Sequence, residues 1–147
     1  IRPHATCTVW LAVDDSTPEN GCLKFIKGSH IDQKLKSHNE NNSKNLTLNQ
    51  ELANEEFDET EAVNLVLDRG QISLHDVYLV HGSEANNSPK ARRAITMRFM
   101  PTTSIFDHQL VKDKKMFSKL NANKYSDRKI YHMRGNDISG KNNLTYI

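Results

Sequence analysis

The sequence has 147 residues, 26% of them charged, with a formal net charge of +2; that length suits one domain with its own core. The near balance of charge excludes a basic nucleic-acid binder, which would cluster Lys and Arg among aromatics, and no apolar run approaches the ~20 residues of a membrane span. Two lone cysteines, Cys7 and Cys22, build neither a disulfide framework nor a zinc cluster and suit a reducing cytosol, so a cytoplasmic protein with no membrane partner is expected.

The chain opens on Ile1 rather than Met, which suits a piece of a longer protein. Thr6–Val13 reads as a strand with two unlike faces: Cys7, Val9, Leu11 and Val13 are apolar, whereas Thr8, Trp10 and Ala12 are mixed. Asp14–Gly21 (DDSTPENG) carries loop chemistry. Adjacent carboxylates point apart, so Asp14 and Asp15 read as loop-forming residues and not as an acid–base pair. Cys22–Ile26 is a second strand, ended by Gly28-Ser29-His30. Ile31–Glu61 is polar, with few apolar anchors. Such an excursion is either a lid over a site or a solvated insertion, and composition leaves both open.

Ala62–Leu67 reads as a third strand, turned at Asp68-Arg69-Gly70. Gln71–Leu74 and Val77–His81 follow as short strands, and Ala94–Met100 is the last clear one. Counted from Arg92, the positions Arg92, Ala94, Thr96 and Arg98 share one face, and Arg93, Ile95, Met97 and Phe99 the other. This repeats the Trp10 strand. It suits a barrel with a polar, ligand-holding interior and an outer face covered by other elements, or a sandwich strand with one wet face. Leu110–Leu120 allows a short helix, Ile130–Met133 a terminal strand, and a polar tail follows. The even spacing of short strands predicts a mainly β barrel or jelly roll with minor helix, over a single domain, 1–147.

His81 is the first candidate for chemistry. A lone histidine at a strand end is ordinarily structural, but three neighbours shift that reading. Gly82 permits close approach to the backbone. Ser83 offers a hydroxyl. Arg92 and Arg93 open the next strand, and one of them is expected to face the interior, where a guanidinium fork would hold a carboxylate. A one-residue slip of the hairpin exchanges the two arginines.

WLAVDDSTPENGCLKFIKGSH (Trp10–His30) and GQISLHDVYLVHGSEANNSPKARRAITMRFMP (Gly70–Pro101) together resemble the phytanoyl-CoA dioxygenase family of Fe(II)/2-oxoglutarate-dependent oxygenases. Tyr131–Gly140 (YHMRGNDISG) also resembles the C-terminal ends of bacterial members. The resemblance implies a double-stranded β-helix, a cupin-like jelly roll, incomplete at its N-terminus. It implies Fe(II) held by two histidines and a carboxylate, with 2-oxoglutarate and O₂ at the open positions. Residue by residue, it makes His81 the distal metal ligand, Arg92 the grip on the far carboxylate of 2-oxoglutarate, Ser83 its helper and Trp10 a wall beside it.

The implied reaction hydroxylates a small organic or acyl substrate, releasing succinate and CO₂. A halogenase-type relative, or a non-catalytic jelly-roll module binding a small anion, are the alternatives. The family's upstream H-x-D pair has no match before Trp10, since His4 is followed by Ala5 and Thr6. The resemblance therefore puts two metal ligands outside this chain. An H-x-D does occur at His30-Ile31-Asp32, where the family has a loop. His75, one turn before His81, reads as a supporting or packing residue.

Overall fold

The structure, a computed structural model, describes residues 1–41, 50–53, 56–109 and 127–147. The helix expected at Leu110–Leu120 lies outside them. Among the described residues ten strands are present: β1 (Cys7–Ala12), β2 (Leu23–Ile26), β3 (His38–Glu40), β4 (Gln50–Leu52), β5 (Ala62–Leu65), β6 (Ile72–Asp76), β7 (His81–Ser83), β8 (Ala94–Phe99), β9 (Ile130–His132) and β10 (Leu144–Tyr146). They fall into two compact units, one of Cys7–Phe99 and one of Ile1–Thr6 with Met100–Ile147. No helix of the described residues is long and apolar enough to cross a membrane.

The Cys7–Phe99 unit contains two three-stranded antiparallel sheets, ordered β6-β1-β8 and β5-β2-β7. In the first, Trp10 lies opposite Ser73 on one side and Thr96 on the other, and Thr8 opposite His75 and Arg98. The mixed face of β1 is the buried one: Thr8, Trp10 and Ala12 are buried, whereas Val9 and Leu11 are half-buried and Cys7 is exposed. Trp10, Ala12 and Leu67 form the core, with Leu23, Leu65 and Ala94 packed against them. Side chains from both sheets thus close over one another. The arrangement is mainly β, the pairing of two antiparallel sheets seen in double-stranded β-helices.

The outer face differs from expectation. Ile72, Leu74, Ile95, Met97 and Phe99 are exposed, so no element among the described residues covers it.

The second sheet departs from the predicted boundaries. The apolar run Val77–Val80 is not a strand. Asp76 ends β6, and its side chain accepts the Tyr78 N–H at 2.8 Å while its carbonyl accepts the Leu79 N–H at 3.3 Å. This Asx turn outcompetes the β propensity of Val and Leu. Val80 is buried, its N–H donating to Ser29 Oγ at 2.8 Å and its carbonyl accepting the Ile26 N–H at 3.1 Å. His81 consequently begins a strand instead of ending one. The polar stretch 31–61 is not featureless either: β3 and β4 pair antiparallel within it.

In the other unit, β9 and β10 pair in parallel. Asn142 organises the loops there. Its side-chain N–H donates to Ser104 O at 2.9 Å and its Oδ1 accepts the Phe106 N–H at 2.8 Å.

Candidate functional site

β7 lies at the edge of its sheet, and its register sets His81 opposite Phe25 and Ser83 opposite Leu23. Alternation puts His81 and Ser83 on one face and Gly82 on the other. A side chain at Gly82 would meet nothing within 4 Å. No described residue makes such a close approach to Gly82.

His81 is exposed, and its Nδ1 lies 2.6 Å from the Leu79 carbonyl. A carbonyl only accepts, so Nδ1 carries the proton and donates it. The Nε2 lone pair is then left for a metal or a proton donor.

The ring of His81 lies 5.0 Å from that of His75 and 5.9 Å from that of Phe25, and Phe25 and His75 lie 5.2 Å apart. These three rings bring the two sheets together. His75 is buried, and its Nδ1 has no hydrogen-bond partner among the described residues. Burial, and next the charges of His81 and Arg98, push its pKa down to about 4. It is a neutral imidazole at pH 7, which fits the packing or supporting role read from the sequence.

The two arginines are cleanly separated. Arg93 forks onto Asp14, with Nε 2.8 Å from Oδ2 and Nη2 2.8 Å from Oδ1, and its backbone N–H adds a third bond to Oδ2 at 2.8 Å. The hydrogen bonds from Arg93 hold the Asp14 carboxyl down at about 2. Arg93 is thus fully engaged on the surface, its side chain 71% exposed. Arg92 is half-buried, and its Nε is buried without a hydrogen-bond partner among the described residues. An unsatisfied guanidinium N–H is costly, so an anion is its natural complement. Its charge is felt at the buried Cys22, where it opposes the upward push that burial gives the thiol. Cys22 directly precedes Leu23, the register partner of Ser83. Trp10 is buried in the core between the sheets, packed with Ala94 at the entry to β8. His81, Ser83, Arg92 and Trp10 all belong to this one unit.

The internal H-x-D does not join them. His30 is exposed, and Asp32 accepts the Lys34 N–H at 3.2 Å and pairs with Lys36 at 3.3 Å. Among the described residues no three His, Cys, Asp or Glu side chains gather to hold a metal. Arg92, with its buried Nε unpartnered, is of the right chemistry for a carboxylate. The fit to a metal is partial: His81 supplies one imidazole with the right nitrogen free. Asn20, which the motif reading does not single out, ties the loop after β1 to the residue before Arg92. It is buried, with its amide donating to Asp15 O at 2.8 Å and Ala91 O at 3.3 Å.

Two antiparallel sheets that share one core, with His81 opening the edge strand β7 and Arg92 in the connection just before β8, suit a cupin-like double-stranded β-helix. The model of the family Phytanoyl-CoA dioxygenase (PhyH) matches residues 1–94, and the chain belongs to that family. It is 33% identical over 100 residues to a phytanoyl-CoA dioxygenase domain-containing protein 1 homolog of Dictyostelium discoideum, covering 67% of this chain and 36% of that protein. It is 33% identical over 96 residues to the Rattus norvegicus phytanoyl-CoA dioxygenase domain-containing protein 1, covering 63% and 32%. The chain thus spans about a third of the length of the curated relatives it matches.

Among solved structures it resembles the non-heme monooxygenase ThoJ in its apo form, with a TM-score of 0.55 and 28% identity over 67% of this chain and 34% of that one. EvdO2 from Micromonospora carbonacea var. aurantiaca, solved with 2-oxoglutarate, is similar with a TM-score of 0.54 and 25% identity over 67% and 40%.

Proposed function

We propose that the chain carries the cosubstrate-binding half of an Fe(II)/2-oxoglutarate-dependent dioxygenase that hydroxylates a small organic or acyl substrate with O₂. The observation that carries this reading is the Arg92 guanidinium, whose buried Nε lacks a partner while its neighbour Arg93 is locked onto Asp14. Membership of the family and the likeness to a structure holding 2-oxoglutarate support it.

In this reading Arg92 grips the far carboxylate of 2-oxoglutarate, and the Ser83 hydroxyl donates to it. Trp10 walls that end of the pocket and keeps water from it. His81 presents Nε2 to the iron while the Leu79 carbonyl holds its Nδ1 proton. Iron and cosubstrate, when bound, would supply oxidative decarboxylation of 2-oxoglutarate to succinate and CO₂ coupled to hydroxylation of the substrate C–H bond.

The test is succinate release from 2-oxoglutarate with added Fe(II) and O₂, in the complete polypeptide as encoded. His81→Ala is expected to abolish it. Arg92→Ala is expected to raise the 2-oxoglutarate requirement about 10- to 100-fold, the loss of a charged hydrogen-bonding partner. Activity unaffected by either change would move the site elsewhere. Binding of 2-oxoglutarate without succinate would leave a non-catalytic anion-binding module, and chlorinated product in place of hydroxylated product a halogenase.

A further inference from the structure

The motif D-D-S-T-P-E-N-G, Asp14–Gly21, has no task in the reaction as described, yet it holds both residues that flank Arg92. On the N-terminal side, the Asn20 amide donates to the Ala91 carbonyl at 3.3 Å. On the C-terminal side, Asp14 takes the Arg93 fork and its backbone N–H, all at 2.8 Å, and the Val13 N–H donates to the Arg93 carbonyl at 3.0 Å.

Asn20 is itself fixed. It is 2% exposed, its Oδ1 accepts the Thr17 N–H at 2.8 Å, and its amide donates to Asp15 O at 2.8 Å. The same turn abuts the connection that follows Ser83. Gly21, at φ 75°, comes so close to it that an added Cβ would sit 2.5 Å from the Glu84 carbonyl oxygen. Lys24, just beyond, pairs with Glu84.

With residues 91 and 93 both anchored to the turn, and the Arg93 side chain turned onto Asp14 at the surface, Arg92 is left with the opposite direction. Nothing else among the described residues hydrogen-bonds its Nε. We propose that Asp14 and Asn20 are positioning residues that fix Arg92 for the far carboxylate of the cosubstrate, an inference that rests on the oxygenase reading above.

Misplacing a gripping group by about 1 Å can cost on the order of 100-fold. The experiment measures 2-oxoglutarate binding directly, by isothermal titration calorimetry, and Fe(II) affinity under anaerobic conditions, in the complete polypeptide. The variants are Asp14→Ala, Asn20→Ala and Arg92→Ala. Arg93 is 71% exposed where it meets Asp14, so Asp14→Ala is expected to fold. Asn20→Ser, which keeps a hydroxyl for the Thr17 N–H, replaces Asn20→Ala should that variant not fold.

Asp14→Ala and the Asn20 variant are each expected to weaken 2-oxoglutarate about 5- to 50-fold with Fe(II) affinity held within about twofold. Neither is expected to weaken it further in an Arg92→Ala background. Unchanged 2-oxoglutarate affinity in Asp14→Ala, with Arg92→Ala impaired, overturns the inference and leaves the oxygenase reading standing. So does a parallel fall in Fe(II) affinity, which marks general loosening. A wild-type protein that binds no 2-oxoglutarate, or an Arg92→Ala variant that binds it normally, sinks the oxygenase reading and this inference with it.

Discussion

Arg92 and Arg93 carry the same side chain one position apart, and their surroundings give them opposite uses. Counting along the strand puts Arg92 with Ala94, Thr96 and Arg98, but a slip of one residue reverses the assignment. The deciding partner, Asp14, lies 79 residues away in sequence, and no local pattern shows such a contact. Strand counting thus left the two arginines exchangeable and the family resemblance favoured Arg92; the structure adds that Arg93 is the one Asp14 engages. Trp10 shows the same limit. The resemblance implied a wall residue, whereas its place in the small core with Ala12 and Leu67 is a packing fact. Trp10→Ala is expected to destabilise the protein by about 3–5 kcal/mol, as large aromatic deletions from a core do. Trp10→Phe is expected to cost clearly less. Urea unfolding followed by circular dichroism, which does not need the lost tryptophan signal, checks both.

At the scale of elements, the sequence misleads where turn chemistry competes with β propensity. The run V-Y-L-V after Asp76 reads as a strand by composition, yet a single carboxylate bends it by accepting the Tyr78 N–H. Asp76→Ala removes that acceptor and is expected to cost about 1 kcal/mol. It also loosens the start of β7, so broadened NMR signals from His81 are expected alongside the lower denaturation midpoint.

The loops around Asn142 follow the same logic. Asp137 accepts the Ser139 hydroxyl at 2.6 Å and the Asn142 N–H at 3.0 Å, and these bonds, the Ser139 hydroxyl first, pull its pKa from 3.8 to about 2. A depressed carboxylate stabilises above its unfolded pKa and loses that contribution as pH falls through the folded value. The excess stability of the wild type over Asp137→Asn is thus expected to be full above about pH 5 and to be lost progressively as the pH falls through about 2 toward 1. A gap that persists undiminished at about pH 1 would assign the difference to shape and not to charge. The serine and asparagine involved are common loop residues, so nothing in the sequence singled this network out.

For the molecule as a whole, the fold class was legible because it rests on strand spacing and on faces of period two, both local properties. The mixed, tryptophan-bearing face turned inward, as a ligand-holding interior requires. The expectation that failed concerns the other face, because covering a sheet is a matter of what else is present, and alternation within a strand is silent on that. Leu74, Val9 and Met97 form one row across β6, β1 and β8, and Ile72, Leu11 and Ile95 the next. Leu74 is 63% exposed and Met97 40%, and an apolar stretch of this kind is uncommon on a soluble surface. If solvent is its true neighbour, polar substitution removes little packing. Leu74→Gln and Met97→Gln are then each expected to change the stability of the 147-residue chain by no more than about 0.5 kcal/mol, and together to lower its binding of an apolar dye. The control is Trp10→Ala on the buried face, with its cost of about 3–5 kcal/mol. A cost above about 2 kcal/mol for either glutamine would place that side chain in a packed environment. The outer face would then be a second core, and the stability of β1, the strand that both faces share, would depend on it as much as on Trp10.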